Sequence, residues 1–156
     1  MRGSMGTDRD FRVLVATDGS APAKTAVATA VRFPWPARTR AQGVTARQVP
    51  ADYRRSILLA ALDRSADVIA TGARRALSRR WPGADVTIVD TAPVAGVLHE
   101  AKRIAADVIV LGWRGHGAVR RFLMGSVSRG VIRSAKCAAP QDAKRVELYT
   151  ALGRVR

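Results

Sequence analysis

The chain has 156 residues, of which 47% are hydrophobic, and it carries a formal net charge of +15. This length predicts a single domain with a sizeable core, and the apolar content excludes a disordered chain. No apolar run approaches the roughly 20 residues that span a bilayer. The single cysteine, Cys137, excludes an internal disulfide and favours a reducing, cytoplasmic environment.

The positive charge comes mostly from arginine, since only four of the 27 basic residues are lysines. Two interpretations are open. The arginines lie on solvated helix faces, or they form an electrostatic footprint for nucleic acid or another polyanion. Aromatic residues make up only 5% of the chain, so stacking platforms for single strands are scarce. The sequence therefore predicts weak nucleic-acid binding at most.

The N-terminal part begins with a polar stretch and then alternates strand and helix patterns. Residues 1–10 lack an apolar core, so we expect a disordered or tag-like N-terminus and no secretory signal. A short apolar run predicts a first strand at residues 11–16. Ser20 favours the N-cap of a first helix, and Pro34 ends that helix.

The middle of the chain carries weaker signals. Residues 39–49 are the natural place for a second strand, but Gly43 and the charged residues there weaken it. Asp52 favours the N-cap of a second helix that runs to about Arg80. Helical spacing predicts that one apolar face of this helix is shared by Val68, Ile69, Gly72, Ala73 and Leu77.

The second half continues the alternation, with a strand at residues 85–89, a helix from Pro93, a strand at 107–111 and a helix at 126–135. Strands that alternate with helices predict an α/β fold, here one open, mostly parallel twisted sheet with helices on both faces. Residues 138–145 are too polar for a buried strand. We therefore expect an atypical C-terminal segment at 138–156, with a displaced edge strand at 146–150.

A spaced set of glycines follows the fourth predicted strand. Gly112 and Gly115 are separated by two residues, and a further nine residues separate Gly115 from Gly125 and Ser126, which open a helix. Glycine lets the backbone approach an anion closely, and the N–H groups and dipole at a helix N-terminus favour negative charge. The combination predicts a phosphate site. The alternative is a plain glycine-rich loop with Ser126 as an N-cap.

This glycine spacing resembles the nucleotide motif of the universal stress protein family, in its ATP-binding branch. The sequence VLVATDGS at residues 13–20 is similar to that family's first strand and Asp-Gly-Ser turn, and residues 106–112 are similar to its fourth strand. The resemblance covers residues 11–137. It implies an adenine nucleotide alpha hydrolase-like, Rossmann-like domain there.

The resemblance further implies ATP as the ligand, with Mg²⁺ or Mn²⁺ on the phosphates. Asp18 would accept hydrogen bonds from the ribose or help hold the ion; the alternative is a turn or helix-capping aspartate. Ala16 and Thr17 would line the adenine, and Ser126 and Ser128 would donate hydrogen bonds to phosphate oxygens. The implied nucleotide-binding residues are Ala16, Thr17, Asp18, Leu111, Gly112, Arg114, Gly115, Gly125, Ser126, Val127 and Ser128.

These features favour a nucleotide-occupancy switch with little or no ATP hydrolysis. The sequence has no P-loop lysine and no recognisable nucleophile–base pair. The two histidines, His99 and His116, do not indicate a metal cluster. Two alternatives stay open: a polyanion- or nucleic-acid-binding protein driven by its charge, and a nucleotide-using enzyme. Members of the family often form homodimers through the fifth strand, a pairing that the polar residues 138–145 do not favour.

Overall fold

The computed structural model describes residues 9–47, 56–112, 125–138, 147–150 and 153–154. These residues alternate strands and helices along most of the chain. The elements in chain order are β1 (Phe11–Ala16), α1 (Ala21–Arg32), β2 (Thr39–Ala46), α2 (Ser56–Ser78), β3 (Val86–Val89), α3 (Pro93–Arg103), β4 (Val108–Leu111), α4 (Ser126–Ala138), β5 (Glu147–Thr150) and β6 (Gly153–Arg154).

The strands form one open sheet with the order β3-β2-β1-β4-β5-β6. All neighbours from β3 to β5 are parallel, and β6 pairs antiparallel with β5. The strand order runs outward in both directions from β1 and β4, which makes this pair the topological switch point of the sheet. The predicted fold class, an open and mostly parallel α/β sheet, is confirmed.

The core has two layers because successive side chains of a strand point to opposite faces of the sheet. On one face Val13 and Val15 pack with α1 and α2. On the other face Leu14 and Ala16 pack with α3 and α4. The predicted placement of helices on both faces is therefore also confirmed.

Strand β2 forms despite the weak strand signal in its sequence. It runs over eight residues and pairs with β1 on one side and β3 on the other. Gly43, which weakened the sequence signal, allows close packing, because a Cβ added there would lie 2.7 Å from Cγ2 of Val86. The strand forms because its two neighbours supply hydrogen-bond partners for its backbone. Intrinsic β-propensity does not measure that contribution.

The predicted apolar face of α2 was partly wrong. Val68 is 72% exposed, whereas Ala66 and Ala70 are buried together with Ala73 and Leu77. The buried face is thus rotated relative to the prediction, and small alanine side chains form most of it. The proposed cap, Asp52, lies outside the described residues.

The C-terminal segment also departs from the prediction. Residues 147–150 do form a strand, but it is not a displaced edge strand, because β6 lies outside it. β5 pairs in parallel with β4, and Val108 is opposite Glu147. α4 extends to Ala138, beyond the predicted end at Ala135. The polar residues 139–146 lie outside the described part of the chain.

One carboxylate is buried between α3 and the sheet. Glu100 is 1% exposed. Its Oε1 accepts hydrogen bonds from Nε2 of Gln42 at 2.7 Å and from Oγ1 of Thr87 at 3.1 Å. Arg103 donates to both carboxylate oxygens, from Nε at 2.9 Å and from Nη2 at 2.6 Å. The sequence did not indicate this network, because glutamates are mostly exposed.

The end of α3 places an alanine in the left-handed region, with φ of 49° at Ala105. Its N–H donates to the carbonyl of Lys102, and the N–H of Ala106 donates to that of Ala101, as in a Schellman motif. Glycine adopts this conformation without the steric cost of a Cβ. We expect Ala105→Gly to raise the free energy of unfolding by about 1 kcal/mol. Denaturant titration measures the change, and equal or lower stability would contradict the expectation.

Candidate functional site

The candidate site lies where the carboxyl ends of β1 and β4 meet. Ala16 is opposite Leu111 in the parallel register, so Thr17 and Gly112 follow side by side. The N–H of Thr17 donates to the carbonyl of Val44 at 2.9 Å, which ties this end of β1 to β2 as well. Ligands of open α/β sheets bind at the carboxyl ends of the strands, at a topological switch point.

A tight turn connects β1 to α1. The N–H of Ser20 donates to Oδ1 of Asp18 at 3.0 Å, and the N–H of Gly19 donates to Oγ1 of Thr17 at 3.2 Å. Gly19 has φ of 76°, and a Cβ there would lie 2.7 Å from Cγ1 of Ile69. This turn fixes the position of the partly exposed Asp18 at the edge of the sheet.

Two helix N-termini converge on Gly112. Oγ of Ser20 accepts a hydrogen bond from the N–H of Ala23 and so caps α1. Gly112 lies directly against this first turn, since a Cβ added to it would be 2.8 Å from the backbone of Pro22 and of Ala23. From the other side, the hydroxyl of Ser128 in α4 donates to the carbonyl of Gly112 at 2.7 Å.

The electrostatics of this convergence favour an anion. The first N–H groups of a helix have no acceptor within the helix, and the dipole places partial positive charge there. Neither α1 nor α4 has an acidic residue in its first turn. In α4, the N–H of Arg129 donates to the carbonyl of Gly125, so the amides of Ser126, Val127 and Ser128 form the first turn.

Most of the implied site residues that the structure describes come together at this edge. Ala16, Thr17 and Leu111 are buried at the strand ends. Gly125 directly precedes α4, and Ser126, the first residue of that helix, is exposed. The side chain of Val127 packs into the core. Arg114 and Gly115 lie outside the described residues, as do His116, Arg120 and Arg121.

Two residues have structural roles that the sequence did not indicate. Gly112 lacks a side chain because α1 leaves no room for one, so its presence does not by itself require a nearby phosphate. Ser128 is 3% exposed, and its hydroxyl proton goes to the carbonyl of Gly112. In this structure Ser128 therefore connects the glycine segment to α4, rather than offering its hydroxyl to a ligand.

An ion-pair cluster at the same edge was missed by the sequence analysis. Arg47 follows β2 and donates from Nε and Nη2 to the two carboxylate oxygens of Asp90, each at 2.7 Å. It also contacts Asp63 of α2. The hydrogen bond holds the pKa of Asp90 below its ordinary value and raises the pKa of Arg47. One sequence feature could have indicated this cluster: Asp90 comes directly after a predicted strand, which places it at the carboxyl edge of the sheet.

The described residues contain no group of three or more His, Cys, Asp or Glu side chains that could hold a metal ion by themselves. Of the helices that the structure describes, none is long and apolar enough to cross a membrane.

The sequence model of the universal stress protein family matches residues 11–139 of this chain. The chain therefore belongs to the universal stress protein family. The stress response protein NhaX of Bacillus subtilis (strain 168) is 36% identical over 78 residues. That match covers 50% of this chain and 45% of NhaX, so it spans less than half of the relative's length.

Solved structures with the same fold include two universal stress proteins. One, from Burkholderia pseudomallei, is 25% identical with a TM-score of 0.62, over 81% of this chain and 90% of that chain. The other was solved in complex with cAMP and is 21% identical with a TM-score of 0.60, over 89% of this chain and 94% of that chain. The likeness to the cAMP complex shows that the two proteins share a fold.

Proposed function

We propose that this chain binds ATP at the carboxyl edge where β1 and β4 meet. The observation that carries the proposal is the convergence of the first turns of α1 and α4 on Gly112. Because neither turn contains an acidic residue, no carboxylate within them offsets the positive end of the helix dipole. The triphosphate of ATP supplies the negative charge that such helix ends favour.

The remaining described residues fit the other parts of the nucleotide. Ala16 and Thr17 would line the adenine, and Asp18 would reach the ribose or the divalent ion. Mg²⁺ commonly binds through one or two carboxylates together with substrate phosphates, so a single aspartate is sufficient. Mg²⁺ or Mn²⁺ bound there would neutralise phosphate charge. The cAMP complex of a universal stress protein supports the proposal at the level of the fold, since cAMP is also an adenine nucleotide.

We propose that ATP acts by occupancy and is hydrolysed slowly at most. The described part of the site offers backbone N–H groups, hydroxyls and the carboxylate of Asp18. These groups bind phosphates and metal, but they include no imidazole whose ordinary pKa would suit a general base near neutral pH. The protein would then be a regulatory module of the cytoplasm, the reducing compartment that a single cysteine favours.

The phosphate end of the site is tested by Gly125→Val. Gly125 directly precedes α4 and begins its hydrogen bonding, so a β-branched side chain there would occupy the approach to the first-turn amides. Isothermal titration of the full chain with ATP and Mg²⁺ is expected to show at least roughly tenfold weaker binding, a change of about 1.4 kcal/mol. Unchanged affinity would refute the site.

The matched control is Gly72→Val. Gly72 lies on α2, where an added Cβ would meet no atom within 4 Å, so the same substitution should leave ATP binding intact.

The metal end of the site is examined in the same titration with Asp18→Asn. Asparagine keeps the Oδ1 acceptor for the N–H of Ser20 but removes the charge. The expected result is a smaller gain in ATP affinity on adding Mg²⁺; an equal gain would remove Asp18 from the metal site.

A further inference from the structure

The amino edge of the sheet, opposite the nucleotide edge, is a continuous surface of strand starts and helix ends. Nη1 of Arg80, just after α2, donates to the carbonyls of Val31 and Phe33 at the end of α1. Nη1 of Arg12, in β1, donates to the carbonyl of Ile104 at the end of α3. These hydrogen bonds join the end of α2 to the end of α1, and the end of α3 to β1.

This surface carries more positive than negative charge. The carboxylate of Asp10 is shared by two exposed arginines, Arg38 and Arg40. Arg80 donates to carbonyls and lies 5.2 Å from the ring centroid of Trp81. The exposed Arg32, Arg79 and Lys102 have no ion pair among the residues that the structure describes. We call Arg32, Arg38, Arg40, Arg79, Arg80 and Lys102 the amino-edge basic surface.

The N-terminal residues belong to the same edge. Arg9 pairs with the buried Asp107 just before β4, and Asp10 accepts hydrogen bonds from the start of β2. The sequence had placed both residues in a disordered or tag-like N-terminus, and for Arg9 and Asp10 that prediction was wrong. Their carboxylate and guanidinium contacts fix the strand starts, so the surface is held in one arrangement.

Helix stability explains only part of this charge. Basic residues in the last turn of a helix interact favourably with its dipole, which accounts for Arg32 and Lys102. Arg40 lies in β2 and belongs to no helix; it is 79% exposed and contacts Asp10. Arg79 lies just after α2, is exposed, and has no ion pair among the residues that the structure describes. Together with Arg32 and Lys102, this positive charge points to an external anion.

We infer that the amino-edge basic surface binds the phosphate backbone of duplex DNA without reading its sequence. Guanidinium groups match phosphate oxygens through their planar fork, and arginine is the main cation here. Binding to a membrane surface would favour apolar side chains that insert. Among the described residues the exposed large apolar side chain is Val68, ten residues and about 15 Å along α2 from the end of that helix.

Single-stranded nucleic acid fits this surface less well. Binding to single strands relies on exposed aromatic rings that stack on the bases. At this edge Phe33 and Trp35 pack on one another instead, with their rings centred 4.4 Å apart and Trp35 only 8% exposed, and Trp81 packs against the core beneath the guanidinium of Arg80. A duplex, whose phosphates are all on its outside, makes the better partner.

The test compares two double variants with the same loss of charge. Arg32→Ala/Arg79→Ala removes two cations from the C-terminal ends of α1 and α2. Lys24→Ala/Arg64→Ala, the control, removes two exposed cations from earlier positions on the same helices. Fluorescence anisotropy measures binding of the full chain to a short duplex DNA at several salt concentrations, after circular dichroism has confirmed that each variant is folded.

The wild type is expected to bind with a Kd of about 10⁻⁴ to 10⁻⁶ M near physiological salt, as nonspecific binders do. The amino-edge variant is expected to bind about tenfold more weakly at low salt, and its log–log salt slope should fall by about 1.8, or about 0.9 per lost phosphate contact. The control should stay within about twofold of the wild type, because its lost charges contact no phosphate.

Three outcomes would overturn the inference. Equal losses in the two double variants would show that net charge, and not this surface, attracts DNA. Tighter binding to single-stranded DNA or duplex RNA would assign the surface to that nucleic acid instead. Stronger binding to phosphatidylserine vesicles than to duplex DNA would assign it to a membrane. The Arg32→Ala/Arg79→Ala variant should bind ATP as the wild type does, because the proposed nucleotide site lies at the opposite edge, so the two proposals fail separately.

Discussion

Replacing Gly112 by alanine is expected to lower the free energy of unfolding by about 3 kcal/mol, the upper end of ordinary overpacking. The added Cβ would lie 2.8 Å from backbone N of Ala23 and from backbone C of Pro22. Backbone atoms cannot rotate away as a flexible side chain can. Relief would require α1 to move off the sheet, and α1 contributes Ala23, Ala26, Val27 and Ala30 to the core.

Nucleotide binding should be lost together with stability in this variant. The carbonyl of Gly112 accepts the hydroxyl of Ser128, so any displacement of residue 112 also moves the first turn of α4. Residue 112 thus contacts the first turns of both helices. We therefore expect ATP binding by Gly112→Ala to fall below detection, even at temperatures where circular dichroism shows that the variant is folded.

The control for this prediction is Gly72→Ala. Its Cβ would contact nothing within 4 Å, and the residue lies inside α2. Alanine in a helix is about 1 kcal/mol more favourable than glycine, so this variant should be more stable than the wild type. Urea titrations of both variants measure the two changes. A stable Gly112→Ala protein with normal ATP affinity would show that α1 accommodates the methyl group and that the contact is unimportant.

The sequence predicted the parts of the fold that local patterns encode. β1 and β4 are short apolar runs, and α1 shows buried residues at helical spacing from Ala23 to Ala30. The order of these elements is sufficient for a parallel sheet. The same order places the Asp-Gly-Ser turn and the glycine segment at one edge, so the location of the candidate site followed from the sequence.

Features that depend on tertiary contacts could not be predicted from the sequence. β2 is stabilised by two neighbours and by the fit of Val86 over Gly43, neither of which is visible in residues 39–46 alone. The exposure of Val68 depends on which face of α2 meets the sheet. The packing role of Gly112 arises from the approach of α1, which is nearly ninety positions away in sequence and adjacent in space.

The fold separates two kinds of positive charge to opposite edges. At the carboxyl edge the helix dipoles supply partial charge, fixed by Ser20 and Ser128, and the formal charge of Arg47 is paired with Asp90 and Asp63. At the amino edge it is formal and comes from arginines such as Arg38 and Arg40. Dipolar charge suits a compact ligand that fits between two helix ends, whereas exposed guanidinium groups suit an extended anion.

Glu100→Ala is expected to lower the free energy of unfolding by about 3 kcal/mol at neutral pH, because removing one partner of a buried ion pair leaves the others uncompensated. The amide of Gln42 would lose its carboxylate acceptor beneath α3. Arg103 would lose both of its hydrogen bonds, but its side chain is 52% exposed and can be rehydrated. The loss should therefore lie at the low end of the range for buried pairs. Glu100→Gln retains an acceptor of the same shape and should lose less.

The pH dependence identifies the carboxylate as the source of this stability. The hydrogen bond from Arg103 holds the pKa of Glu100 below its ordinary value of 4.5, with help from Thr87 and from the charges of Arg103 and His99, while burial acts in the opposite direction. A carboxyl whose pKa is lower in the folded state stabilises the fold fully above the unfolded pKa. That contribution is lost as the pH falls through the folded pKa.

The stability gap between the wild type and Glu100→Ala should therefore be largest at neutral pH and should shrink as the pH is lowered below about 4.5, the ordinary value for glutamate. Urea titrations at a series of pH values measure both proteins in the same buffers, so changes at other carboxylates cancel in the difference. If the gap stays constant from neutral to acid pH, the variant is destabilised by the cavity that alanine leaves, and the charge of Glu100 contributes nothing. A gap that closes in acid, with Glu100→Gln showing less dependence on pH than the wild type, places the stability in the ionised carboxylate and its arginine.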